Sequence, residues 1–183
     1  MDRKRRIRIS KYLSKHLRHS PERLGLTLEQ GGWVEVDVLL DACARNRFVL
    51  DREELEEVVG QCEKQRFSLD DDGARIRANQ GHSVEVDLEL EAVVPPDVLY
   101  HGTPSGVAAT ILEEGLLKMK RHHVHLSRDV ATAEKVGARR GRPVILTVDA
   151  AEMHSDGLVF YCSENGVWLV DHVPPRYLRR REP

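Results

Sequence analysis

The sequence lacks any long apolar run, so a membrane-spanning chain is not expected. Within its 183 residues, no stretch approaches the roughly 18–20 apolar residues that a helix needs to cross a bilayer. Residues 1–6 are basic, but the apolar core of a signal peptide does not follow them. The sequence therefore predicts a cytoplasmic protein that makes no contact with a membrane.

Cysteine is scarce, and the common nucleotide-binding motifs are missing. Cys43, Cys62 and Cys162 form an odd set whose spacing fits no zinc-ligand pattern, so buried or idle thiols are expected. The chain contains neither G-x-G-x-x-G nor a P-loop, which excludes a Rossmann or Walker nucleotide site. A nucleotide ligand would therefore need a different kind of site.

Charge is abundant and unevenly distributed. Hydrophobic residues make up 40% of the chain and charged residues 32%, so a globular core is expected. Residues 1–25 hold nine Lys and Arg against two acids, whereas residues 84–97 hold five acids and no Lys or Arg. A basic pole on a chain of net charge −2 favours a polyanionic partner such as nucleic acid, with a solvated basic tail as the alternative.

The clearest domain boundary is a pair of prolines, Pro95 and Pro96. Two consecutive prolines enforce extended backbone and interrupt regular structure. No repeat or low-complexity linker is visible elsewhere. The pattern predicts two domains, residues 1–94 and residues 97–183.

The first domain has the predicted element order of a winged helix. The spacing of Ile9, Leu13 and Leu17 predicts an amphipathic first helix. The elements predicted after it are a short strand in 33–36, a helix capped by Asp37, a helix that begins with a capping box of Asp51 and Glu54, and a hairpin of strands 67–69 and 74–78. Winged helices commonly bind nucleic acid, although this argument rests on fold analogy alone.

The second domain is richer in strands. The predicted strands are 98–102, 123–127, 144–148, 158–161 and 167–170. A helix is predicted over 104–114, with Val107, Ile111 and Leu112 facing the core and Gly115 as its C-cap, and another over 129–138. The expected fold class of the whole chain is α+β.

Three arginine-bearing positions are candidates for binding a phosphate, because a guanidinium forms forked hydrogen bonds with phosphate oxygens. They are Arg18 with His19 at the end of the first helix, Arg75 and Arg77 on one face of a hairpin strand, and Arg121 at the start of a later strand. Ordinary structural explanations stay open. Arg18 could stabilise a helix dipole, and the hairpin arginines could be exposed strand residues.

Two further polar segments are candidates for ligand contacts. Residues 79–83 present amides and an imidazole after the hairpin, although a simple loop is the favoured alternative. In the segment Tyr100-His101-Gly102-Thr103, a glycine at a strand end would let a ligand approach the backbone. Polar groups on both sides of that glycine suit a dinucleotide.

Three histidines, His122, His123 and His125, suggest a metal site as an alternative. The last two would share one face of a strand, but no clustered carboxylate or cysteine completes a ligand set. We therefore predict no metal, and we expect structural or substrate-contacting histidines.

Taken together, five segments resemble the RNA 2′-phosphotransferase family, whose members act on tRNA. They are LSKHLRH at 13–19, IRANQGHS at 76–83, YHGT at 100–103, MKRHHVHLS at 119–127 and SENGVWL at 163–169. They occur in the family's order and span most of the chain. The resemblance implies an N-terminal winged-helix lobe for RNA and a C-terminal lobe similar to the NAD-binding fold of ADP-ribosyltransferases, with the active site between the lobes.

The resemblance also assigns roles to the arginines. It implies that Arg18, Arg77 and Arg121 act catalytically on the transferring phosphate, while Arg18 and His19 bind the RNA phosphate. The family often has a lysine two residues before the hairpin arginine, where this chain has Arg75. We therefore assign Arg75 as an accessory contact to the RNA phosphate.

The same resemblance implies a site for NAD, which serves as co-substrate. His101, Gly102, Thr103 and Ser127 would hold it, and His101 would also be catalytic. In the implied reaction the RNA 2′-phosphate attacks the nicotinamide ribose and releases nicotinamide. The resulting ADP-ribosylated RNA then releases ADP-ribose 1″,2″-cyclic phosphate. Positioning and charge neutralisation should dominate, and the guanidiniums can supply the charge without a metal.

Two alternatives remain open from the sequence. A mono-ADP-ribosyltransferase would also use NAD, but the strand near Val167 lacks an obvious catalytic glutamate, since Glu164 lies in a predicted turn. A non-enzymatic winged-helix regulator would bind DNA, which the acidic residues 70–72 would repel. The favoured partner is 2′-phosphorylated RNA, spliced tRNA above all, and a monomer is expected.

Overall fold

The computed structural model describes residues 1–62, 64–138 and 141–182. The chain divides into two units, Met1–Glu89 and Leu90–Pro183. The division falls ahead of the double proline because the preceding residues pair with the second unit: the N–H of Val93 donates to the carbonyl of Phe160 at 2.9 Å.

In the first unit, the described residues form three α-helices and three strands. These elements are α1 (Arg3–Arg18), β1 (Trp33–Glu35), α2 (Val36–Arg45), α3 (Arg52–Gly60), β2 (Phe67–Leu69) and β3 (Arg75–Ala78). Strand β3 lies between β1 and β2 and is antiparallel to both. The hairpin predicted over 67–78 is thereby confirmed, and its second strand is the central one of the sheet.

The core of the first unit explains the position of α1. Ile9, Leu13 and Leu17 are fully buried, as their four-residue spacing predicts. They pack in one cluster with Leu55 of α3 and Ile76 of β3. Burial of this face fixes the end of α1 relative to the sheet.

Of two predicted helix starts, the structure supports that of α3 and corrects that of α2. Asp51 caps α3 by accepting a hydrogen bond from the N–H of Glu54 at 2.8 Å. The Glu54 carboxylate in turn receives a hydrogen bond from the backbone of Asp51, as a capping box requires, and it also accepts hydrogen bonds from Arg5 at 2.9 and 2.7 Å. The prediction of Asp37 as an N-cap was wrong: β1 continues directly into α2, which begins at Val36.

The second unit combines three helices with eight strands among its described residues. They are β4 (Val98–Pro104), α4 (Ser105–Glu114), β5 (Leu116–Leu117), β6 (Val124–Leu126), α5 (Val130–Gly137), β7 (Pro143–Asp149), α6 (Ala150–Ser155), β8 (Phe160–Cys162), β9 (Trp168–Val170), β10 (His172–Val173) and β11 (Leu178–Arg180). The sheets have the strand orders β11-β7-β4, β6-β9-β8 and β10-β5, and all pairs are antiparallel.

Helix α4 ends as predicted but faces the core differently. Gly115 terminates the helix with φ of 91°, a value that suits glycine. Val107 is 47% exposed, so its predicted inward position was wrong. The buried stripe instead runs through Ala108, Ile111 and Leu112, which have the i, i+3, i+4 spacing of one helix face.

The mixture of helices and small antiparallel sheets confirms the α+β class expected from the sequence. Throughout the part of the chain that the structure describes, no helix has the length and apolar character needed to cross a bilayer.

Candidate functional site

In the first unit, the end of α1 is joined to the loop that follows β3. The N–H of Ser83 donates to the carbonyl of Arg18 at 2.9 Å. On the neighbouring residue, Nδ1 of His19 lies 2.9 Å from the Ser83 hydroxyl. The predicted phosphate residues Arg18 and His19 are thus connected to the 79–83 segment.

The guanidinium of Arg18 is oriented by two neutral groups. Its Nη2 donates to the main-chain carbonyl of Arg66 at 3.1 Å, and its Cζ lies 5.9 Å from the centre of the Phe67 ring. The same carbonyl accepts the N–H of Asn79 at 3.0 Å. These two contacts restrict the direction of the guanidinium.

Arg77 lies on β3 beside an aromatic ring. In the sheet it is paired with Trp33 of β1, and its Cζ stands 4.5 Å from the centre of the indole ring. Its Nη1 also lies 3.4 Å from the carbonyl oxygen of Gly31. Stacking on indole favours a cation and restricts its rotation, so Arg77 is held as a positively charged, half-buried side chain.

Arg75 has a different environment, although it contacts the same indole. Its Cζ lies 5.4 Å from the Trp33 ring, but its Nε donates to the Asp70 carboxylate at 2.9 Å. Hydrogen bonds from the main chain and side chain of Arg75 lower the pKa of Asp70. The hairpin itself therefore offsets the charge of Arg75, and its accessory role stays a prediction.

The 79–83 segment is more ordered than a simple loop. Asn79 is buried, and its side chain donates to the Gln65 carbonyl and accepts from the Ser68 hydroxyl, both at 2.8 Å. His82 is also buried, at 1% exposure. No signal in the sequence indicated that Asn79 is buried, because its partners lie in β2 and just before it.

In the second unit, His101 is held in a defined tautomer. Its Nδ1 lies 3.1 Å from the carbonyl oxygen of His125, and because a carbonyl only accepts, Nδ1 carries the proton. Burial, and secondarily the charge of Arg121, lowers the pKa of His101. The neutral ring therefore presents an unprotonated Nε2, which can accept a hydrogen bond or a proton.

The ring of His125 connects this histidine to the predicted arginine. Nη1 of Arg121 lies 3.0 Å from Nδ1 of His125, and a guanidinium can only donate. One residue thus accepts from Arg121 through its ring and from His101 through its main chain. Among the described residues, no group of three or more His, Cys, Asp or Glu is arranged to hold a metal ion.

The segment after His101 is packed against a helix. A Cβ on Gly102 would lie 1.7 Å from the carbonyl oxygen of Ala133 in α5, so the close approach that this glycine permits is to α5. Thr103 is 3% exposed. Ser127 exchanges two main-chain hydrogen bonds of 2.8 Å with Tyr100, next to His101. Contact of Gly102, Thr103 or Ser127 with NAD stays a prediction.

Each unit therefore presents a cluster suited to an anionic or hydroxyl-bearing ligand. The first offers the guanidiniums of Arg18 and Arg77, each in contact with a main-chain carbonyl and an aromatic ring, and guanidiniums suit phosphate. The second offers a guanidinium beside a neutral histidine.

A family model described as RNA 2′-phosphotransferase, Tpt1/KptA family, matches residues 4–172. The chain belongs to this family. The match confirms the resemblance seen in the sequence, and with it the expectation of an enzyme that acts on the 2′-phosphate of RNA.

Relatives of the same description span the whole chain. A probable RNA 2′-phosphotransferase of Nostoc punctiforme is 62% identical over 176 residues, which cover 96% of this chain and 97% of that protein. One from Streptomyces coelicolor is 57% identical over 183 residues and covers 100% of both chains. One from Rhodopirellula baltica is 52% identical over 176 residues, with 96% of each covered. Relatives of this name thus match both units.

Proposed function

We propose that the chain removes the 2′-phosphate from RNA and transfers it to the ADP-ribose part of NAD. Family membership supports the RNA 2′-phosphate as substrate. The observation that carries the use of NAD is the hydrogen-bonded connection from Arg121 through His125 to His101. It combines a cation for a phosphate with a neutral acceptor for a ribose hydroxyl.

In this proposal the RNA phosphate is bound by the first unit. Arg18 and Arg77 neutralise the dianion, and His19 donates a further hydrogen bond to it. The support is local: each guanidinium contacts a carbonyl and an aromatic ring, and these contacts restrict its direction. A guanidinium oriented in advance loses little freedom when phosphate binds, so more of the interaction energy appears as affinity.

The neutral state of His101 suits the chemistry at the nicotinamide ribose. Positive charge develops on the ribose as nicotinamide leaves, and an imidazolium beside it would oppose that charge. A neutral ring avoids this cost, and its unprotonated Nε2 can accept the hydrogen of a ribose hydroxyl. The lowered pKa of His101 supports this assignment.

The proposed reaction has two balanced steps. In the first, a 2′-phosphate oxygen forms a bond to C1″ of the ribose, and the bond to nicotinamide breaks. In the second, the ribose 2″-oxygen bonds to phosphorus and gives up its proton. The RNA 2′-oxygen leaves and takes up a proton, so the products are RNA with a free 2′-hydroxyl and ADP-ribose 1″,2″-cyclic phosphate. The arginines, including Arg121, carry the phosphate charge in both steps.

The finer structural and biological assignments are part of the same proposal. The order of α1, β1, α2, α3 and the β2–β3 hairpin supports a winged-helix unit for RNA over residues 1–94. We further propose an ADP-ribosyltransferase-like unit over residues 97–183, spliced tRNA as the substrate and a monomeric enzyme.

The test is incubation of a 2′-phosphorylated oligonucleotide with NAD, followed by mass analysis of all products. The expected result is RNA that has lost one phosphate, together with nicotinamide and a cyclic phosphate of ADP-ribose. The matched control is the same oligonucleotide without the 2′-phosphate. Release of nicotinamide at equal rates with both RNAs would contradict the proposal and favour a mono-ADP-ribosyltransferase.

A further inference from the structure

A basic groove lies along one face of α1 in the first unit. Its volume is about 590 Å³, and its walls come from α1, the end of α3 and residues 64–66. Of its fourteen described lining residues, seven are Lys or Arg and none is acidic. A concave surface with charge of one sign attracts and concentrates an oppositely charged ligand.

The charges are distributed along the length of the helix. Arg3, Lys11, Lys15 and Arg18 all line the groove, and the rise of an α-helix separates the first from the last by about 22 Å. A compact anion would need only one end of such a row. The spread of the charges therefore indicates an extended polyanion.

The cations of α1 differ in their ion pairing. Arg5, outside the groove, is bonded through two nitrogens to the Glu54 carboxylate. Arg3, Lys11 and Lys15 are exposed, and within the described parts of the chain no carboxylate lies at ion-pair distance from them. Arg6, which also lines the groove, lies 3.7 Å from the Glu57 carboxylate, so the positive charge that the groove side keeps comes from Arg3, Lys11 and Lys15.

We propose that this groove binds the phosphodiester backbone of the RNA strand that carries the 2′-phosphate. The inference rests on the proposed function, because Arg18 and His19, assigned there to the 2′-phosphate, line one end of the groove. The nucleotides that flank the reacting phosphate then follow α1 towards Arg3.

The chemistry of the lining predicts recognition without regard to base sequence. Apart from its cations, the described lining includes hydroxyl and amide donors at Ser10, Ser14 and Gln61, and it contains no Trp, Tyr or Phe on which a base could stack. Contacts of this kind reach phosphates and sugars, which position a strand without reading it.

The test compares two double variants that remove the same charge from the same helix. Lys11→Gln with Lys15→Gln alters the groove, and Lys4→Gln with Arg8→Gln is the matched control, since neither residue lines the groove. Affinity is measured by fluorescence anisotropy with an unphosphorylated single-stranded oligonucleotide. Circular dichroism verifies that both variants fold.

The groove variant is expected to bind on the order of tenfold more weakly at moderate salt. Its slope of log affinity against log salt should be smaller by about 1.4, because each phosphate neutralised on a single strand contributes about 0.7. The control variant should resemble the wild type. Equal losses of RNA affinity in both variants, or no loss in the groove variant, would overturn the proposal. It would also be overturned if the groove variant kept its affinity for RNA but lost binding to vesicles of anionic phospholipid.

Turnover of two substrates separates this inference from the proposed function. For an oligonucleotide with an internal 2′-phosphate, KM should rise in the groove variant by about the same factor. For a dinucleotide that carries the 2′-phosphate, which reaches less of the groove, the rise in KM should be smaller. Absence of turnover by the wild type would reject the proposed function and leave the anisotropy result to decide the groove.

Discussion

In the second unit, Nδ1 of His101 donates to the main-chain carbonyl of His125 across 3.1 Å, and this bond selects the tautomer of a buried imidazole. The carbonyl oxygen cannot donate, so Nε2 is the site that exchanges its proton with pH.

The first prediction is that His101 titrates below the ordinary histidine value. Burial, followed by the charge of Arg121, lowers its pKa from 6.5. As the pH falls, His101 is therefore protonated in the unfolded chain before it is protonated in the folded protein. Its contribution to the free energy of unfolding is complete above pH 6.5 and decreases as the pH falls below that value. An NMR titration of the histidine ring protons measures the pKa directly. In Arg121→Gln it should rise towards 6.5, and an unchanged value in that variant would contradict the electrostatic cause.

The second prediction concerns the three arginines assigned to the phosphate. Arg18→Ala, Arg77→Ala and Arg121→Ala should each lower kcat on the order of a hundredfold or more, because each removes a charge fixed in advance for the transition state. Steady-state assays at saturating NAD measure the effect, and thermal unfolding verifies the fold. Arg75→Ala is the matched control on the strand of Arg77, and its loss should be smaller because Asp70 already offsets that charge. Full activity in all three alanine variants would remove the site assignment.

The third prediction is that Trp33 positions Arg77 for catalysis. The 4.5 Å stack restricts the guanidinium, so Trp33→Leu should lower kcat roughly threefold to thirtyfold, the range given by cation–π energies. Trp33→Phe keeps an aromatic face and should recover most of the loss. A double-mutant cycle distinguishes positioning from a general packing effect. Once Arg77 is alanine, the leucine substitution should add little, and fully additive losses would argue against the role.

The fourth prediction separates packing from ligand contact at Gly102. A methyl group there would overlap the carbonyl oxygen of Ala133, so Gly102→Ala should destabilise the second unit by about 3 kcal/mol or more. Gly106→Ala is the control, because its Cβ would meet no atom within 4 Å and lies inside helix α4, where alanine is favoured. Thermal unfolding should show a clear loss for the first variant and no loss for the second. A stable Gly102→Ala protein would mean that α5 shifts to accommodate the methyl group at little cost in stability.

Elements with a local signal could be predicted from the sequence. The four-residue spacing of Ile9, Leu13 and Leu17 predicted α1, and the acidic turn before Gly73 predicted the β2–β3 hairpin. Elements that depend on distant partners could not. Strand β5 is two residues long and exists only because β10, more than fifty residues later, pairs with it. Helix α6 was missed because it is short and directly follows β7.

The candidate site divides in the same way. The resemblance of short motifs pointed to Arg18, Arg77 and Arg121, but their surroundings arise from sheet register and burial. The stack of Arg77 on Trp33 joins residues 44 positions apart through the pairing of β1 with β3. The sequence suggested Gly102 as a ligand contact, which stays a prediction, and the structure adds a close approach of this glycine to Ala133. Close approach of a ligand and close approach of α5 both favour glycine, so the residue type alone could not distinguish these two roles.

The acceptor that orients Arg18 is a backbone oxygen, and this has a consequence for tolerance to mutation. Residue 66 supplies its main-chain carbonyl whatever side chain it bears. The direction of the Arg18 guanidinium therefore depends on the conformation of the main chain at this position. Substitutions at residue 66 that preserve the main-chain conformation can change the surface charge without changing the orientation of the Arg18 side chain. At this position, the orientation of Arg18 and the surface charge can therefore evolve separately.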